Sequence, residues 1–142
     1  MSTRAMYSFI DDGGKECYHV YKHHDGYPEG ALGFIKDTLE RAWALPRYEA
    51  DEFAAAFVVA TKSMAGGTRL MESGPWKKVA AGDIAYRYEV YPYGEKRNLR
   101  VKGFEVWCDF GRENWTEREI LDISIDDIDD AILQAAWEEE GE

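Results

Sequence analysis

All three histidines of this 142-residue chain, His19, His23 and His24, stand close together, and Asp25 and Tyr27 follow directly. An imidazole beside a carboxylate is the pairing that general acid–base chemistry uses. Histidine titrates near neutrality, and the carboxylate fixes its tautomer. In a strand, His19, Tyr21 and His23 share one face while His24 points to the other. Two imidazoles on one face and a turn carboxylate also have the donor types of a divalent-metal site. The stretch has no cysteine partners and no helical H-x-x-x-H, so no metal and no cofactor is expected. A structural reading stands beside the chemical one: Asp25-Gly26-Tyr27-Pro28 is turn chemistry, with Asp25 capping the next helix and Tyr27 packing over the core.

Arg4 belongs to the same constellation. At the head of a strand next to the histidine strand, its guanidinium can grip the Asp25 carboxylate as a fork and fix the turn. Left open, it can bind a phosphate or carboxylate. A small-ligand site would therefore use Arg4, His23, Asp25 and Tyr27, and a hydrolytic one His23, His24 and Asp25 as acid, base and orienter. An N-terminal nucleophile at Ser2 would require removal of Met1. Neither DDGGK nor AGGTR has the spacing of a phosphate-binding loop.

The charge is lopsided. The formal net charge is −11, and residues 1–108 are neutral, with 15 Lys+Arg against 15 Asp+Glu. Residues 109–142 carry 13 acids and two bases, Arg112 and Arg118. A neutral body with an acidic end is wrong for duplex nucleic acid and for anionic membranes, both of which need a basic patch. It suits a basic partner or simple solubility. Asp126, Asp127, Asp129 and Asp130 open a C-terminal helix, where acids favour the macrodipole. Glu138, Glu139, Glu140 and Glu142 crowd its far end, where they oppose it. That unfavourable placement points to use by a partner.

The elements that must position these residues follow from periodicity. Residues 4–10 and 16–23 predict a hairpin around the Asp-Gly-Gly turn. Helices are expected over about 29–45 and 49–64, the first closed by Pro46 and the second by Gly66-Gly67. Residues 68–83 read as irregular. A second hairpin is expected over 84–91 and 98–110, alternating aromatics with Arg87 and Glu89. Its Tyr86, Tyr88, Tyr91, Tyr93, Phe104, Trp107 and Phe110 are core or cross-strand material, or with Arg87, Arg97 and Arg100 a surface that stacks a base. A strand near 116–124 and a helix near 125–139 close the chain, with Ser124 as N-cap and Ile128, Ile132, Ala135 and Ala136 inward. The order ββααβββα implies one α+β domain spanning 1–142, an antiparallel sheet with its helices on one face. Cys17 and Cys108 are expected to be reduced and buried. MSTRAMYSFIDD lacks the pattern of a signal peptide, and no apolar run is long enough to span a membrane.

Thr3-Arg4-Ala5 followed by Tyr21-Lys22-His23-His24-Asp25-Gly26-Tyr27-Pro28 resembles a loose family of small proteins from bacteriophages, prophages and mobile elements, over roughly residues 1–45. Those proteins carry T-R-A near the start and Y-x-H-x-D-G-Y-P ahead of a helix. The family has no assigned reaction, so the resemblance implies a phage or mobile-element origin and action in the bacterial cytoplasm. Here either His23 or His24 matches the family histidine. Charge and resemblance together lead to the expectation of a non-enzymatic inhibitor. It would bind a basic bacterial protein, of the defence or nucleic-acid-handling kind, through Asp126, Asp127, Asp129, Asp130, Glu138 and Glu139. A small-ligand, nucleotide-like binder or small hydrolase at the first hairpin turn is the alternative. An aromatic edge hairpin can pair with its own copy, so a homodimer is open.

Overall fold

The computed structural model describes residues 3–14, 17–62, 67–95, 97–109 and 114–140, the side chains of Glu139 and Glu140 excepted. Ser2, Phe110, Arg112, Glu142 and the Glu139 side chain, singled out above, lie outside it.

The first hairpin joins β1 (Ala5–Ile10) to β2 (Cys17–Lys22), in register from Ala5↔Lys22 to Ile10↔Cys17. Strand alternation divides β1 between two cores. Ala5, Tyr7 and Phe9 face one side, and Met6 faces the other. Helix α1 (Pro28–Arg41) starts on a proline, whose missing N–H and fixed φ suit a first turn, and buries Ala31, Leu32 and Ile35. Helix α2 (Ala50–Thr61) buries Phe53 and Phe57 against Phe9 and Tyr7. Burial of each such ring is worth ~1.5–3 kcal/mol, so the aromatic layer between sheet and helices dominates the core.

The chain then departs from the expected order. A three-residue strand, β3 (Thr68–Leu70), pairs outside β2, and a one-turn helix, α3 (Trp76–Val79), follows. Residues 71–85 cross the face opposite α1 and α2, packing Met71, Trp76, Val79 and Ile84 against Met6 and Tyr21. This crossover delivers β4 (Tyr86–Pro92) beside β1 and parallel to it, with Ala5 opposite Tyr86. Antiparallel β5 (Leu99–Asp109) and β6 (Asn114–Ser124) extend the sheet. A 3₁₀ turn (Ile125–Asp127) leads into α4 (Ile128–Glu140), which packs on the α1 side through Ile128, Ala131 and Ile132.

The fold is α+β, and its six-stranded sheet, ordered β3-β2-β1-β4-β5-β6, is mixed rather than antiparallel. Two of the expected features change together. The region read as irregular holds β3 and α3, so the order is ββααβαβββα. Helices α1, α2 and α4 share one face as expected, but α3 lies on the other. The aromatic hairpin β4–β5 is interior, and the edges are β3 and β6. No helix among the described residues is long and apolar enough to cross a membrane.

Candidate functional sites

The turn after β2 is built against the first residues of the chain. The Gly26 N–H donates to the Thr3 carbonyl at 2.9 Å, and the Tyr88 hydroxyl donates to the Gly26 carbonyl at 2.6 Å. A Cβ on Gly26 would stand 2.7 Å from the Ala5 Cβ and 2.9 Å from the Thr3 carbonyl, so only glycine fits. Asp25 takes the left-handed conformation, φ 59°, which an Asx side chain tolerates better than most. The T-R-A and H-D-G-Y segments singled out in the sequence are therefore in direct contact.

Arg4 does not reach for Asp25. Its Nε donates to Nδ1 of His23 at 3.1 Å and lies 3.0 Å from Oδ2 of Asp83, a residue of the crossover. The Tyr21 hydroxyl donates to the same Asp83 oxygen at 3.1 Å and stands 3.2 Å from Nδ1 of His23. Asp83 also raises the Tyr21 pKa, second to desolvation, so the phenol stays protonated and available as a donor. His24 packs its ring edge-on against His23, centroids 4.7 Å apart. The clamp expected over Asp25 is thus made over Asp83, because the crossover brings that carboxylate across the sheet.

His23, His24 and Tyr21 line a cleft of about 790 Å³ between β3 and the crossover. Arg69 of β3 and Lys78 of α3 line it too. Arg69 stands opposite Tyr21 in the strand register, which places it on the same face as the histidine network. Asp25 and Tyr27 open instead onto a separate cleft of about 570 Å³ beside α1, with Phe34 and Lys36, and the Tyr27 hydroxyl donates to Asp25 at 3.3 Å. Asp25 does not cap α1: the N-cap position is Tyr27, with no side-chain cap bond. The four-residue ligand set read from the sequence is therefore divided. Arg4 and His23 come together, while Asp25 cannot orient His23 as an acid–base partner.

His19 is a second histidine site, fully enclosed. Its Nδ1 lies 2.8 Å from the Ser8 hydroxyl and its Nε2 lies 2.7 Å from the Gly74 carbonyl. The carbonyl only accepts, so Nε2 carries the proton and Nδ1 accepts from Ser8. Burial pushes the His19 pKa down, against the partial opposition of Gly74. A serine donating to an imidazole resembles a nucleophile and its base, but Ser8 is fully buried and no substrate reaches it. The pair fastens the crossover to the sheet. Nearby Cys17 is only half-buried, as is Cys108; both are free, and burial pushes the Cys17 thiol up to about 11.

On the helix side, Lys22 is 5% exposed and donates to the Thr61 carbonyl and to the hydroxyls of Thr61 and Thr68, at 2.8–3.2 Å. Its ammonium sits 4.4 Å from the Phe34 ring centre. Burial lowers its pKa to about 8. With all three donors used, Lys22 bolts α2 to β3.

The acidic end divides as well. Ser124 caps as expected, accepting from the Asp126 N–H at 3.2 Å. Asp129 pairs with Lys36 of α1 at 2.6 Å, and Glu138 faces a side cleft with Glu105 and Arg118. The outer face of α4 carries two residues absent from the sequence-based list, Leu133 and Trp137, at 69% and 75% exposure. They stand one turn apart, with Asp130 a further turn before them. Their position off the Ile128–Ile132–Ala135 stripe was the available signal.

The base-stacking surface expected around the second hairpin is not formed. Arg87 is buried between Trp76 and Phe104 and paired with Glu89 and Glu117. Arg97 lies on Trp43, and Arg100 pairs with Asp122. Comparison of the chain with protein-family models, curated proteins and solved structures gives no match.

Proposed function

We propose that this chain is a non-enzymatic inhibitor that docks a basic bacterial protein, of the defence or nucleic-acid-handling kind, through the outer face of α4. The observation that carries this reading is the exposed Leu133–Trp137 pair among Asp126, Asp129 and Asp130. Single exposed apolar residues are ordinary. A tryptophan and a leucine one turn apart have the form of anchors for a helix-in-groove interface, where tryptophan is a frequent hot spot. The acidic frame selects an apolar groove rimmed by Lys and Arg. The inner stripe of α4 already packs on α1, so the outer pair is not needed for the fold. The resemblance of the T-R-A and Y-x-H-x-D-G-Y-P segments to phage and mobile-element proteins supports a partner in the bacterial cytoplasm.

The test compares three tagged forms expressed in a bacterial host: wild type, Trp137→Ala, and Asp126→Lys with Asp130→Lys. A basic protein retained by the wild type is then purified and its affinity measured directly. The expected result is a loss of roughly tenfold or more for Trp137→Ala, the size of a hot-spot truncation, and loss of capture on charge reversal. A partner that binds all three forms equally would overturn the reading, as would the absence of any specific partner.

A further inference from the structure

Among the described residues, several arginine and lysine side chains are paired with acids, as Arg4 is with Asp83, Lys36 with Asp129 and Arg100 with Asp122. Arg69 and Lys78 have no side-chain hydrogen bond or ion pair within the described residues, and both line the 790 Å³ cleft. They reach it from opposite walls, Arg69 from the edge strand and Lys78 from the crossover helix. Two cations without an ion pair, lining one cleft, attract an anionic group.

The floor between them is the histidine network. Arg4 donates from Nε to Nδ1 of His23 at 3.1 Å, and its Nη2 lies 3.5 Å from Nε2. Both ring nitrogens of His23 thus face the Arg4 guanidinium, and Arg4 and Tyr21 hold the ring at one angle. Met71 and Val79 give the cleft an apolar wall, and the carboxylate of Glu72 lines it without a partner of its own. An anion alone would leave that wall bare and Glu72 unanswered. A ligand with an anionic head, an apolar or planar body and hydroxyl or amino donors answers all of them. The volume falls in the range of small-molecule sites.

We infer that this cleft binds a small organic phosphate of the nucleotide or sugar-phosphate class. Arg69 and Lys78 hold the phosphate beside the His23 and His24 rings, Met71 and Val79 contact the body, and Glu72 accepts from its hydroxyls. The site is independent of the α4 surface and does not rest on it. Arg4, Tyr21 and Asp83 are positioning residues that keep the His23 ring in place.

The experiment titrates the intact chain with adenosine 5′-monophosphate, with ribose 5-phosphate, with inorganic phosphate and with adenosine, following histidine ring resonances by NMR. The three histidines provide an internal standard: His23 and His24 line the cleft, and His19 is closed off behind Gly74. At least one of the two organic phosphates should shift His23 and His24 and leave His19 unmoved. It should bind roughly tenfold more tightly than inorganic phosphate and than adenosine. Arg69→Met with Lys78→Met should weaken that binding by at least tenfold at unchanged Tm, since both side chains are exposed. Lys77→Met with Lys102→Met, which removes the same two charges outside the cleft, is the control and should bind as the wild type does. Absence of shifts with both organic phosphates at millimolar concentration would overturn the inference. So would equal affinity for inorganic phosphate, or binding that survives the double substitution.

Discussion

Two tyrosines stacked in the core, Tyr7 and Tyr88, have ring centres 5.4 Å apart and opposite hydroxyl fates. The Tyr88 hydroxyl reaches the Gly26 carbonyl, whereas the buried Tyr7 hydroxyl has no partner among the described residues. A buried hydroxyl without a hydrogen bond costs free energy, and a bonded one contributes about 1 kcal/mol net. Tyr7→Phe should therefore leave stability unchanged or raise it by up to about 1 kcal/mol. Tyr88→Phe should lower it by about 1–3 kcal/mol, because it also strands the Gly26 carbonyl. Urea unfolding of the two variants checks the opposite signs. A loss above about 1 kcal/mol for Tyr7→Phe would show that its hydroxyl is paired after all.

At the scale of elements, the crossover is the device that makes the molecule. It is tied down at Gly74 by His19, at Asp83 by Arg4 and Tyr21, and by Trp76 beneath Arg87. The His19 fastening is pH-sensitive. Its folded pKa lies below the ordinary 6.5, so below that pH the unfolded chain binds a proton that the folded one resists. The contribution of neutral His19 is intact above pH 6.5 and falls as pH drops, by at most about 1.4 kcal/mol per pH unit. Stability measured between pH 7 and 5 should fall, and His19→Gln should flatten that part of the profile. An identical slope in the variant would assign the effect to other groups. The crossover also marks where sequence reading stopped. Leu32 and Ile35, or the alternation of Tyr86 to Val90, reveal their elements through local periodicity. Three-residue β3 and one-turn α3 are shorter than any period, and the parallel partner of β1 is a tertiary choice that leaves no local trace. For the same reason His23 and Arg4 were legible as candidate site residues, whereas Asp83, Arg69 and Lys78 were not. They line the same cleft as His23 only because β3 and the crossover bring distant segments back to β2.

At the scale of the molecule, charge and topology set separate expectations. The acids of residues 109–142 give the chain a directional field, with a neutral body behind it. Association with a basic partner through α4 should slow as salt rises, because screening at 0.15 M shortens the field's reach to about 8 Å. The on-rate should drop severalfold between low and physiological salt while the dissociation rate changes little, as stopped-flow mixing would show. A salt-independent on-rate would remove electrostatic steering from the account. The topology acts earlier, while the chain is being made. Strand β1 lies at the centre of the sheet, yet its parallel neighbour begins only at Tyr86. At 5–20 residues per second, a ribosome exposes the hairpin roughly 3–13 s before β4 begins to emerge and cover that side. Throughout that interval the nascent chain presents an unsatisfied backbone edge beside Tyr7 and Phe9, the kind of surface that chaperones hold and that neighbouring polysomes can join. The rate of translation through residues 11–85 is thus part of how this protein reaches its native yield.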